Sequence, residues 1–370
     1  MLSVDFVTLL VPFKLMLNKN ALSPVYSTIE LTPTRMYGCS AYAMMEVHGD
    51  IGINKSCFVN AATFITVIDS LPERGDVTLV VTEGSLNWKC GRARGKLALV
   101  KLDTEMPKIN RRMDKNNAWK VDRLFSKTLQ LGAISCDNNS LSSVGMYGIV
   151  VDNRKYTTIY SSDNTTVSAC RLGEYNVEQM PDMFTLPPEG AMLLAAVCKN
   201  GGTAEFSDTD VFYYNEGVKV LIRYSMPLRH DISKILERNL VSEDMVVQLP
   251  EGRMEAFMKR VNAIAESQRH ATVSLHVKKD RISLSFDEGT AASDEYYVVT
   301  GLEPTKGMDA VHMSAAKVAR ALAHVNTVVL DRLADRVVIL RGDAPLYYYI
   351  VAGKAINANA PSKVTEAIEP

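Results

Sequence analysis

The sequence predicts an α+β protein built from three copies of one domain. Two observations carry this. A short apolar helical segment recurs at Val59–Leu71, Leu186–Lys199 and Met313–Val325, each beginning 127 residues after the one before. Each is followed by two or three strand-like segments and preceded by a second helix-then-strands unit. Solenoids and propellers repeat every 20 to 50 residues, roughly. A period this long instead lets each repeat hold its own core.

The elements follow in order. Val4–Leu17 reads as a helix, with strands at Val25–Leu31 and Met44–His48. In Val59–Leu71, Phe64, Ile68 and Leu71 share one helical face. Strands are expected next at Asp76–Val81 and Leu86–Lys89. The second copy opens with a helix at Val121–Ile134, then strands at Gly148–Val151 and Lys155–Tyr160. After its second helix, Gly201-Gly202 breaks the chain before strands at Thr203–Phe206, Val211–Tyr214 and Lys219–Tyr224. The third copy has a helix at Glu251–Ile264 and strands at Thr272–Val277 and Arg281–Phe286. In its second helix Ser314 suits the N-cap, and Val318, Leu322 and Val325 share a face. Strands at Thr327–Leu330, Arg336–Arg341 and Tyr347–Val351 close it, the middle one alternating at period two. Polar stretches at Arg111–Asn117 and Glu237–Asp244 place the domains at 1–116, 117–243 and 244–356, with a flexible tail at 357–370.

Composition bounds the function. The 370 residues carry 41 basic and 42 acidic side chains, a net charge of -1, so any grip on nucleic acid must come from a local patch. No apolar run is long enough for a membrane span. The opening segment lacks a basic leader and a small-residue cleavage site, so no signal peptide is expected. The six cysteines form no C-x-x-C pair, and the six histidines lie largely apart from them. That pattern suits buried, reduced thiols in a cytoplasmic protein and gives no metal site.

Catalytic motifs are sparse. There is no G-x-S-x-G, no P-loop, no G-x-G-x-x-G and no H-E-x-x-H. Ser314 and Lys317 match S-x-x-K, but the partner motifs of serine acylases are missing and a helix cap explains the serine. Asp152, Asp208 and Asp210 read as turn residues rather than metal ligands. The chain reads as a non-enzyme without a cofactor.

Specific segments carry a resemblance. MLSVDFVTLLVPF, then Val59–Leu71 with Pro72-Glu73, then Cys90-Gly91-Arg92-Ala93-Arg94, Met146–Ile149, Ile159–Val167 and Tyr348–Val351 match segments of one family in order. Over residues 1–354 the chain resembles the bacterial-type DNA polymerase sliding clamp, the beta subunit of the replicative polymerase. It departs at Asn164, Thr165 and Thr166, and at Ala352–Ala355, where the family keeps other residues. The drift suits a phage-encoded or otherwise specialised clamp.

The resemblance implies three clamp domains, each with two helices against antiparallel sheet, closing as a head-to-tail homodimeric ring. It implies a processivity factor that encircles double-stranded DNA and serves a DNA polymerase and a clamp loader. The six helix windows carry a net charge of +4 and the remainder -5, the sign expected of a ring whose helices face DNA. The DNA-facing candidates are Lys14, Lys19, Lys120, Arg123, Lys127, Lys199, Arg253, Lys259, Arg260, Lys317 and Arg320. The family's partner-peptide pocket carries over to Met146, Ser162, Asn164, Thr166, Val167, His230, Lys234, Ile235, Leu333, Asp335, Ile350 and Ala352. Ala352 stands where the family has methionine, which implies a shallower groove and a different preferred peptide. The family's ring contact carries over as Lys96–Leu99 against Arg269–Val277, with Lys96, Leu97, Leu99, Ile264 and Thr272 at the interface. Gly95 stands where the family often has an aromatic, implying a weaker contact. The alternative is a clamp-fold interaction scaffold that does not encircle DNA. An α+β hydrolase would need a convergent polar pocket that the sequence lacks.

Overall fold

The computed structural model describes residues 3–16, 23–72, 75–114, 116–136, 148–163 and 165–225. Beyond these it describes 246–248, 272–278, 281–287, 292–298, 310–315, 324–329, 337–343, 346–352 and 354–355, with residues 236, 259, 263, 318 and 321. The chain forms two compact units, Met1–Ser161 with Arg171–Arg229, and Ser162–Cys170 with His230–Pro370.

The first unit is built on an eight-stranded antiparallel sheet. Its first four strands are β1 (Thr28–Thr32), β2 (Arg35–Cys39), β3 (Ala43–His48) and β4 (Cys57–Asn60). The other four are β8 (Ala118–Val121), β13 (Gly202–Phe206), β14 (Asp210–Asn215) and β15 (Val218–Arg223). The order is β4-β1-β2-β3-β15-β14-β13-β8, so the first two sequence repeats share one sheet through β3 and β15. A separate three-stranded sheet holds β5 (Val77–Thr82), β6 (Ser85–Cys90) and β7 (Ala93–Ala98). β9 (Ile149–Asp152) pairs with β10 (Thr158–Ser162) and β12 (Met183–Leu186).

Four helices are described: α1 (Ser3–Met16), α2 (Ala61–Asp69), α3 (Arg123–Gly132) and α4 (Pro188–Cys198). α1 packs on α2 and α4, and α3 packs on α4. Capping fixes two starts. Asn60 accepts the Thr63 N–H at 3.0 Å, and Asp122 accepts the Phe125 N–H at 2.9 Å. These caps correct the expected helices. Val59 belongs to β4, Val121 to β8 and Leu186 to β12, so each helix starts after a short strand that feeds it. The same holds for Met313, in β20 (Ala310–Ser314), ahead of the helical, fully buried Ala315, Val318 and Ala321.

The core of the first unit lies between helices and sheet. Phe6, Leu10 and Phe13 of α1, Phe64 and Ile68 of α2, and Leu193 and Leu194 of α4 are fully buried with Ile29, Val59, Val220 and Ile222 of the sheet. Phe125 meets Trp119 edge-on at 5.1 Å, and Phe184 stacks on Tyr224 at 4.6 Å. All six cysteines are buried and free, and burial pushes the Cys39 and Cys57 thiols up to about 11.

The segment 101–114, which runs into the polar stretch expected at Arg111–Asn117, packs on the outer face. Met106 is buried with Val25, Tyr37, Cys39 and Met44. The buried Tyr37 hydroxyl, its pKa pushed well above the ordinary range by burial, donates to the Pro107 carbonyl. Arg111 pairs with Glu205 at 2.6 Å and with Asp210.

In the second unit β11 (Thr166–Arg171), β23 (Leu346–Ala352), β22 (Val337–Asp343), β21 (Thr327–Val329) and β16 (Val246–Gln248) lie side by side. A five-stranded sheet has the order β19 (Ala292–Val298), β18 (Arg281–Asp287), β17 (Thr272–Lys278), β20 and β24 (Lys354–Ala355).

Close helix–sheet approach needs glycine at Gly132. A Cβ there would lie 2.7 Å from the Ile159 carbonyl oxygen, and the Ser161 hydroxyl donates to the Gly132 carbonyl at 2.6 Å. Alanine normally favours a helix over glycine by about 1 kcal/mol. Here the backbone clash should prevail, and Gly132→Ala should lose about 1–3 kcal/mol in urea denaturation.

Candidate functional site

Five of the predicted pocket residues are described, and all lie in the second unit. The turn before β11 sets their geometry. Asp163 accepts the Thr165 N–H at 2.9 Å and the Thr166 N–H at 2.8 Å, and its own N–H donates to the Thr166 carbonyl at 3.0 Å. Ser162, buried, donates its hydroxyl to the same carbonyl at 2.9 Å. β11 then runs against β23, with Val167 opposite Ile350 and Thr166 opposite Val351. Ile350 stands opposite Ile339, and Val337 opposite Ala352. Alternation puts Val167, Ile350 and Ile339 on one face of the sheet and Thr166 and Val351 on the other.

Chemically this strip offers apolar contact. The Ser162 hydroxyl is spent on the turn. Met146, Asn164, His230, Lys234, Ile235, Leu333 and Asp335 lie outside the described residues. No group of His, Cys, Asp and Glu among the described residues is placed to hold a metal. Asp152 pairs with Arg154 at 2.6 Å and Asp210 accepts the Ser207 hydroxyl at 2.9 Å, as turn residues do.

The candidate DNA face divides similarly. Arg123 and Lys127 are exposed one turn apart on α3, whose other faces bury Phe125, Ser126, Thr128, Leu129 and Leu131. Lys199 caps the C-terminus of α4, where a cation complements the helix dipole. Lys14 pairs with Asp69 at 2.7 Å and ties α1 to α2, so part of its charge is already answered. Lys120 is exposed but sits in β8, not on a helix. The expected helix failed there because Ala118–Val121 pairs with Gly202–Glu205. Lys259 is helical and exposed, while Lys19, Arg253, Arg260, Lys317 and Arg320 lie outside the described residues.

The expected ring contact needs correction. β17 is hydrogen-bonded to β18 on one side and β20 on the other. Thr272 is exposed at its start, but this strand has no free edge for Lys96–Leu99. The outermost strands of that sheet are β19 and β24. Among the described residues β7 does lie at an edge, with β6 its one neighbour in the sheet. Lys96 is exposed there, while Leu97 and Leu99 are half-buried against their own core. Ile264 lies outside the described residues. Gly95 has a local cause. It stands opposite Trp88, and a Cβ would lie 2.6 Å from the indole.

The fold as a whole matches solved structures of DNA polymerase III beta subunits. The Thermotoga maritima beta subunit aligns with TM-score 0.71 at 13% identity, covering 96% of this chain and 98% of that one. The fold is the sliding-clamp fold. The Streptococcus pyogenes beta subunit aligns with TM-score 0.68 at 16% identity, over 96% and 99% of the two chains. A Helicobacter pylori beta clamp, solved bound to a DNA ligase peptide, aligns with TM-score 0.67 at 14% identity over 96% and 99%. No family model and no curated sequence matches the chain. No helix among the described residues is long and apolar enough to cross a membrane.

The Asp163 turn gives a test. Asp163→Ala should lose about 1–2 kcal/mol of stability in urea denaturation, because two backbone N–H groups lose their acceptor. Asp163→Asn, which keeps an accepting oxygen, should retain most of it.

Proposed function

We propose that this chain is a DNA sliding clamp: a non-catalytic processivity factor that encircles duplex DNA and tethers a replicative polymerase. The observation that carries this is a clamp-fold match along 96% of the chain rather than over one repeat. The three domains then correspond to 1–116, 117–243 and 244–356. Partners are duplex DNA, a DNA polymerase, a clamp loader and a second copy of the chain. The β11–β23 strip is the core of the pocket that takes the partner's peptide.

The ring closes through edge strands. β7 of one copy meets β19 of the next, not β17. The sequences support the match: ARGKLA in β7 carries two positive charges and ASDEYYV in β19 two negative ones. Charged edge strands resist indiscriminate pairing yet accept a partner of opposite sign. A head-to-tail contact that closes gives a ring.

Two measurements test the reading. Sedimentation at micromolar concentration should give about twice the 40.8 kDa chain mass. Arg94→Glu with Lys96→Glu should shift it to monomer, and Asp294→Lys with Glu295→Lys in the same chain should restore the dimer. A monomer throughout, in the native chain, overturns the homodimeric ring. Retention on nicked circular DNA, with loss after linearisation, should distinguish topological encirclement from the scaffold alternative. Arg123→Glu with Lys127→Glu should lower loading roughly 3- to 10-fold while leaving retention on the circle, once loaded, little changed.

A further inference from the structure

The β11–β23 strip has an internal double in the first unit. The turn Ser40–Ala43 repeats the turn Asp163–Thr166. The Ser40 N–H donates to the Ala43 carbonyl at 2.7 Å, and the Ser40 hydroxyl accepts the Ala43 N–H at 3.1 Å. β3 then runs against β15 as β11 runs against β23, with Met44 opposite Leu221 where the other copy has Val167 opposite Ile350.

Over Met44 and Leu221 runs the chain's own segment 102–109, LDTEMPKI. Leu102, Met106 and Ile109 pack into the cluster that holds Tyr37, Cys39 and Met44. The backbone is tied at both ends and in the middle. The Val100 N–H donates to the Phe58 carbonyl at 2.9 Å, Tyr37 donates to the Pro107 carbonyl, and Glu205 accepts the Asp114 N–H at 2.9 Å. This is a short non-helical peptide docked by three spaced apolar side chains and a few hydrogen bonds to its backbone. A cleft of about 50 Å³ remains open beside Pro107, between Tyr42 and Arg223.

We propose that residues Leu102–Ile109 are a resident ligand occupying the first copy of the peptide-docking surface. The strap then displays the chemistry such a surface accepts: an extended peptide with aliphatic or methionine anchors interrupted by acidic residues. This rests on reading the β11–β23 strip as a peptide site. Tethering explains why the first copy stays closed. A strap held at both ends has an effective concentration in the millimolar range, so a free peptide of micromolar affinity competes about a thousandfold below its intrinsic strength.

The test uses the full chain and a labelled synthetic peptide of sequence KLDTEMPKIN, residues 101–110. In Leu102→Asn/Met106→Asn the strap loses two anchors while the surface beneath is untouched. This variant should bind the peptide in fluorescence anisotropy at least tenfold more tightly than the native chain, and a scrambled peptide should not bind. Alkylation of Cys39, buried beneath the strap, should speed up in the variant and slow again when the peptide is added in excess. Equal peptide binding by variant and native chains, or Cys39 reactivity unmoved by the peptide, overturns the proposal. Should the double variant fail to fold, Met106→Ala takes its place with the same two readouts. Failure of the underlying reading looks different. There, Val167→Asp would leave partner-peptide binding by the native chain unchanged, while capture of the strap peptide by the strap variant would still report on the first copy alone.

Discussion

The first unit depends on one backbone ladder, the pairing of β3 with β15. It joins strands from two sequence repeats into a single eight-stranded sheet. Without it each half-sheet would end in an exposed edge. The ladder also sorts its side chains. Ala43, Met45 and Val47 with Val220 and Ile222 enter the core beneath the helices, while Met44 and Glu46 face outward opposite Leu221 and Lys219. Glu46 keeps the register honest. Its buried carboxylate is matched by Lys219 at 3.6 Å, by Arg35 at 3.7 Å and by His48. A slip of one residue would drive that charge into the apolar core.

The outer face of the sheet and the solvent side of the helices do different work. Outward, the sheet of the first unit carries an apolar pair, Met44 and Leu221, beyond a tight turn and beneath the chain's own segment Leu102–Ile109. On the described helices Arg123 and Lys127 are exposed, and Lys14 is already paired with Asp69.

Much of this was legible in the sequence. The 127-residue recurrence, seen in helix starts at Ala61, Pro188 and Ala315, and the core-facing side of Phe64 and Ile68 stand in the structure. The misses share causes. The strands β4, β8, β12 and β20 are four or five residues that run straight into helices, so their apolar residues read as helix starts. Asn60 and Asp122, good N-cap residues, marked the true boundaries. Leu102, Met106 and Ile109 drew no element assignment because charged and polar neighbours dilute them and Pro107 interrupts their helical spacing. β17 was read as an edge because an edge strand and an interior strand can have the same local pattern.

By itself, the sequence determined the repeat, the type of most elements, the side of each helix that meets the core, and the lack of catalytic motifs. Those properties follow from spacing and residue chemistry within a few turns of chain. Only the tertiary structure decided which strands are edges, that two repeats share a sheet, and that Leu102, Met106 and Ile109 pack on its outer face. Each of these turns on which distant segment supplies a backbone hydrogen bond or an apolar contact. A side-chain pattern names the face a residue presents, but not the partner that comes to lie on it.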